Sequence, residues 1–248
     1  MTRPPVEIAA PPFPRGLPWI NVAPLRMDKQ AGRPVLVEFW DFCRVNSLRT
    51  LPYLQEWHRR YAGEGLRVIG VHAPGFPPSE DEAAVRMATE RLGIEHPVVV
   101  DSELAVWELY GNEGWPARYL WDGRGVLHHY HYGEGAYDET EQAIQELLGI
   151  QRPLVEPLRP EDRPGARLAA QSEDQPGAYR GPYRAGAAWA VLDGAGEARV
   201  AGRAIAVEGP GCYPLVEHER HTAGALDLEL TPGVTCYAVC FVPGIAER

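Results

Sequence analysis

Two short apolar runs, VLVEFW (Val35 to Trp40) and LRVIGVH (Leu66 to His72), flank a stretch in which Leu48, Leu51, Leu54 and Trp57 recur every three residues. No other feature of the chain constrains its fold as strongly. Each run is rich in β-branched residues, as a strand covered on both faces requires. The helical spacing between them makes a crossover, so the two strands are expected to lie parallel and adjacent in a right-handed strand–helix–strand unit.

The same alternation continues downstream. Ser79 followed by Glu82 reads as a capping box opening a helix through about Leu92, with Gly93 as its stop. HPVVVD then predicts a third strand, Asp101 caps SELAVWELYG, and ARYLWDGRGVLHHYHYG reads as a hairpin about Asp122-Gly123. Asp138 with Glu141 caps a last helix, ETEQAIQELL. Strands alternating with helices and ending in a hairpin predict an α/β domain, a mixed sheet flanked by helices.

After Ile150 the composition changes. Pro153, Pro157, Pro160 and Pro164 crowd into a semi-rigid linker, and beyond it AWAVLD, EARVAGRAIAVE, ALDLEL and VTCYAVCFV are separated by Gly/Pro turns. The reading is four-part: 1–31 an N-terminal extension packing on the first domain, 32–150 the α/β domain, 151–168 the linker, 169–248 a small all-β, sandwich-like domain. A chain of 248 residues, 45% hydrophobic, is long enough for both cores. Its net charge of −10, with no Lys/Arg-rich block, excludes nucleic acid and membrane surfaces as partners. No basic patch precedes an apolar run of about 7–15 residues at the N-terminus, and no apolar stretch approaches ~18 residues, which predicts a cytoplasmic protein.

Four cysteines in such a chain are expected to be thiols in a reducing compartment. Cys43 stands alone in the first half, while Cys212, Cys236 and Cys240 fall near the C-terminus, and no CxxC occurs. On a regular strand Cys236 and Cys240 share a face about 13 Å apart, too far for a disulfide, and read as core side chains.

The motifs VEFW, a helix start with Pro52 eight residues after Arg44, and Trp115-Pro116 before ARYLW resemble the thioredoxin fold, with its kinked active-site helix and cis-proline loop. WINVAPLRM, RTLPYL, VIGVHAPGF, GWPARYL and GEGAYDETE are similar to motifs of the redoxin-like extracytoplasmic part of DipZ-type proteins and their soluble relatives, across about Ala10 to Leu148. GAYRGPYRAG and LELTPGVTCYAVCFV are similar, more weakly, to the carbohydrate-binding-like β-sandwich that follows in those relatives, though no sugar-binding residue carries over. The resemblance implies two redox cysteines, and they fall on Arg44 and Ser47. Cys43 lies one residue before the nucleophile's place.

Dithiol exchange needs a thiolate at a helix start and a resolving thiol one turn later. Ser47 cannot resolve a mixed disulfide, so ordinary CxxC chemistry is not expected. Cys43, beside the guanidinium of Arg44 and the positive end of a helix dipole, is a candidate reactive thiol; the plainer reading is a small side chain filling a corner. A peroxidase of the peroxiredoxin type would want a threonine where Trp40 stands. His72 ends a parallel strand, where ligands of open α/β sheets gather, and either joins Arg44 and the Trp115-Pro116 loop in binding or simply bonds a nearby loop. Glu38 matches the buried acid of thioredoxin-like proteins, and its apolar strand predicts a raised pKa. HHYHY puts only His129 and His131 on one face, so no metal is expected, and no cofactor motif is evident. Two functions stay open: a thiol-dependent oxidoreductase working through Cys43 on a thiol or protein partner, or a non-catalytic binding module for a peptide or small anion.

Overall fold

The computed structural model describes residues 7–246. They form two compact units: one of residues up to Asp41, Asn46–Gly75 and Glu80–Glu156, the other of Phe42–Val45, Phe76–Ser79 and Pro157 onward.

The first unit is built on one six-stranded mixed sheet in the order β1-β4-β3-β2-β5-β6. Its elements in chain order are β1 (Trp19–Ile20), β2 (Val35–Trp40), α1 (Val45–Tyr61), β3 (Arg67–His72), α2 (Glu82–Arg91), β4 (Val98–Val100), α3 (Ala105–Leu109), β5 (Ala117–Trp121), β6 (Leu127–Tyr132) and α4 (Tyr137–Leu148). Strands β2, β3 and β4 run parallel, as the crossover spacing predicts, and β5 and β6 close one side as an antiparallel hairpin. All six residues of β2 are buried, because helices and loops cover both faces of the central strand. On one face Val35, Val37 and Phe39 pack with Ile69, Val71, Val99 and Trp121, joined by Phe13, Trp19 and Met27 from the N-terminal segment. On the other, Leu36 and Val68 meet Leu54, Trp57 and Tyr61 of α1 and Ile144 of α4. The proline-rich segment starts tied to this unit: Arg60 donates to the Pro153 carbonyl, and the Val155 amide donates to Glu141.

Helix starts depart from the sequence reading in instructive ways. Asp81, not Ser79, caps α2 by accepting from the Ala84 amide, since Ser79 sits in a 3-10 turn and bonds back to Phe76. Asp101 does serve α3, but across a turn, accepting from the amides of Val106 and Trp107. At α4 neither Asp138 nor Glu141 caps: the chain enters through Ala136 in a left-handed conformation, and Glu141 is buried against Tyr61 and Arg60.

The second unit is antiparallel and all-β. Its strands are β7 (Leu168–Ala169), β8 (Gln175–Pro176), β9 (Arg180–Val200), β10 (Arg203–Glu208), β11 (Gly211–Asp227), β12 (Glu229–Leu230), β13 (Val234–Val242) and β14 (Gly244–Ile245). The 21-residue β9 organises the unit: up to Gly194 it pairs with β11 and β13, and from Ala195 it pairs with β10 and β12. Such sheet-switching needs a sharp corner, and Gly194 and Gly196 supply it with φ of +102° and +153°. The core holds Ala188, Ala190, Leu192, Ala198 and Val200 of β9 with Val239 and Phe241 of β13.

A β-bulge between Cys236 and Ala238 corrects the expectation for the C-terminal cysteines. Cys236 pairs with Leu192 and Cys240 with Trp189, so the extra residue turns the two sulfurs to opposite faces of the sheet. Burial pushes the Cys236 thiol up to about 11 and that of Cys240 to about 12. All four cysteines are thiols.

Candidate functional site

Strand β2 carries Glu38 into the interior and hands the chain, through Asp41 to Arg44, to α1. Cys43 therefore precedes the helix by two residues, and it is fully buried, 0% exposed. Arg44 is half-buried, its guanidinium 4.6 Å from the centre of the Phe76 ring. Ser47 is buried one turn on, where its hydroxyl accepts a 3.2 Å hydrogen bond from the Asp41 amide. That serine fastens the strand to the helix.

Asp41 and His72 are brought together, both fully buried. An Asp41 carboxylate oxygen lies 3.6 Å from His72 Nε2, and the other accepts from the Gly75 amide at 2.8 Å. The imidazole packs edge-on against Trp40 with 5.0 Å between ring centres. His72 is thus enclosed within the fold, beside Asp41 at the ends of β2 and β3.

Glu38 meets a partner that the sequence reading missed. Arg118 stands opposite it in the β2–β5 register, and both are 1% exposed. Burial raises the Glu38 carboxyl to about 8 even though the Arg118 charge pulls it down. Arg118 donates to the Gly135 carbonyl and lies 5.0 Å above the Tyr137 ring, while its Nε and Nη1 and one Glu38 oxygen have no hydrogen-bond partner. The sequence signal was an arginine in the middle of ARYLW, an apolar strand where a charge needs an opposite charge.

The Trp115–Pro116 peptide is cis. Trp115 donates its indole N–H to the Ala73 carbonyl at 2.8 Å and packs on Trp107, with 4.3 Å between ring centres and the rings tilted by 38°. Pro116 is buried, and its carbonyl accepts from the Gly133 amide. Trp107, from α3, is the second residue that the sequence reading did not single out. The histidines of β6 serve locally: His131 bonds the Glu134 carbonyl, and burial lowers His129 to about 4. No group of three or more metal-ligating side chains converges among the described residues, and none of their helices is long and apolar enough to cross a membrane.

Chemically, the helix start carries one buried thiol and no second one within a turn. Glu38, on the strand that leads to it, has its carboxyl raised to about 8, and the loop at Trp115 carries a close, tilted pair of indoles.

No family model matches the chain. Protein DipZ of Mycobacterium tuberculosis is 32% identical over 166 residues, 66% of this chain and 24% of DipZ, so the match spans about a quarter of that relative. Thiol-disulfide oxidoreductase YkuV of Bacillus subtilis is 26% identical over 130 residues, 52% of this chain and 87% of YkuV. Among solved structures, a thioredoxin-like superfamily protein, SPOA0173, superposes with a TM-score of 0.53 at 20% identity over 58% of this chain and 99% of its own. A thiol-disulfide isomerase from Corynebacterium glutamicum superposes with a TM-score of 0.51 at 22% identity over 57% of this chain and 98% of its own. At these identities the structures speak for the fold.

Proposed function

This chain belongs, through its first unit, to the thioredoxin-like redoxin family, and from that premise we propose that it is a member with a degenerate active site, a binding module without dithiol exchange. The observation that carries the reading is Ser47. It stands one turn into α1, where exchange needs a second thiol, and its hydroxyl is engaged with the Asp41 amide. The Trp115–Pro116 loop backed by Trp107 remains as the working part, and its two half-buried, closely packed indoles suit an extended peptide. A reducing, cytoplasmic setting suits a chain with four thiols.

One observation favours a second reading, a single-thiol redox role for Cys43. Glu38, on the strand leading to that cysteine, has a pKa of about 8 and can take up or release a proton near neutral pH. A partner disulfide attacked by Cys43 would leave a mixed disulfide, and an outside thiol would have to remove it.

Two measurements separate the readings. Peptides selected from a random library on the native chain should bind Cys43→Ala as well as wild type and Trp115→Ala more weakly. Alkylation of Cys43 by iodoacetamide, followed residue by residue by mass spectrometry, should stay negligible until the protein unfolds. A rate reaching its plateau well below the ordinary thiol pKa of about 8.5, with peptide capture lost in Cys43→Ala, would replace the binding reading with the redox one.

A further inference from the structure

We propose that the second unit carries a binding site for a compact, multiply charged oxyanion, a phosphate ester or a polycarboxylate, held by Arg163, Arg167 and Arg220. Three separate stretches of chain build it. Residues 160–162 form a 3-10 turn, the Ala166 amide bonds back to the Arg163 carbonyl, and Gly165 with φ +77° folds the loop so that Arg163 and Arg167 stand on one short arc. The base of the arc is pinned where β7 pairs with β14 and the Ala246 amide donates to the Arg167 carbonyl. Arg220 comes from the irregular part of β11, between Glu217 and Thr222, where pairing with β9 is interrupted. The three arginines line a cavity of about 710 Å³, a volume within the range of small-molecule sites, with Ile245 and Pro164 as apolar wall.

Charge sets this cavity apart. The chain has a net charge of −10, and most other arginines from Pro157 onward already close onto acceptors: Arg159 on Asp162, Arg180 on Asp227, Arg199 on Glu197, and Arg203 on the carbonyls of Pro214 and Leu215. Arg163, Arg167 and Arg220 make no such side-chain bond among the described residues, and Glu219 is the one acid in the lining. Three guanidiniums with unused donor forks, converging on one concavity against a single carboxylate, match an anion with several oxygens and more than one charge. The apolar wall leaves room for a short carbon body beside the charged groups.

Calorimetric titration of the full chain with inorganic pyrophosphate and, separately, citrate, at constant ionic strength, tests the site. Saturable one-to-one binding of at least one probe is expected, weakened about tenfold or more by Arg167→Gln and by Arg220→Gln, the scale of one lost charge-assisted bond. Glu219→Gln should tighten binding, and Arg180→Gln, on an already paired arginine of the same unit, should leave it unchanged. A preference for pyrophosphate points to a phosphate ester as the natural ligand, and a preference for citrate to a polycarboxylate. The proposal fails if neither probe saturates, or if Arg180→Gln weakens binding as much as Arg167→Gln, because attraction to general positive charge would then account for the heat. All four substitutions lie on exposed side chains, so a thermal melt matching wild type establishes that each variant is folded.

Discussion

The two units bury different chemistry. The polar and charged residues buried as a whole, among those described, lie between Gln30 and Gln145, and all but Ser79 belong to the first unit, including Glu38, Asp41, Ser47, His72 and Arg118. From Pro157 onward the buried residues are apolar or aromatic, and the Asp162 carboxylate, 5% exposed, is paired with Arg159. Burying a polar group costs stability unless it is bonded, so a core that keeps many of them does so for position, and a core that keeps few is built mainly for packing. The first unit is the one that fixes polar groups inside its core.

Arg118→Met and Phe241→Ala set this contrast at its sharpest. The first should cost about 1–3 kcal/mol by removing the guanidinium's bond to the Gly135 carbonyl and its place over the Tyr137 ring, and the second about 3–5 kcal/mol by opening a cavity between Tyr179 and Tyr183. Hydrogen exchange should place the first loss in β2 and β5 and the second in β9 and β13. Equal loosening of both units by either variant would dissolve the distinction.

Next in size is a pH effect confined to the first unit. Glu38 keeps its proton to about pH 8 when folded and would release it near the ordinary carboxylate value once unfolded. Between those two values the folded state holds the extra proton. The stabilisation is complete below the unfolded pKa and is lost as pH rises toward the folded one, at about 1.4 kcal/mol per pH unit. Glu38→Gln should flatten that slope in urea melts taken from pH 5 to 8, while Phe241→Ala should leave it intact. An unchanged slope in Glu38→Gln would mean that another group sets it. The smallest effect expected is at Asp81→Ala, about 1 kcal/mol for one helix cap, read as faster exchange at the start of α2.

Where the sequence was legible, periodicity carried the information. The alternation of VLVEFW and LRVIGVH around spaced leucines and Trp57 identified parallel β2 and β3 with α1 between them, because burial on both faces leaves few other arrangements. Local chemistry was harder to read. Ser79 and Asp81 both suit a cap, and a preceding 3-10 turn, set by Pro77 and Pro78, decides which one reaches the helix. Cys236 and Cys240 have strand spacing, but a bulge changes their relation, and a bulge depends on the neighbouring strand. At the site, Glu38 was visible as a carboxylate in an apolar strand, whereas Arg118 belongs with it only through a register 80 residues apart in sequence. The anion cavity was invisible for the same reason, since Arg220 meets the Arg163 loop through tertiary structure alone.

The corner in β9 has a consequence for how the second unit reaches its native pairing. One continuous strand supplies the middle of both sheets, and past Tyr183 and Ala185, which have the opposite phase, its core residues, Ala188, Ala190 and Leu192 before the corner and Ala198 and Val200 after it, keep a single odd–even phase. A slip of β9 by one residue would turn all of them outward at once. Mispaired forms of this unit therefore lose both halves of the core together, and a chain that has found the right register in one sheet has already chosen it for the other.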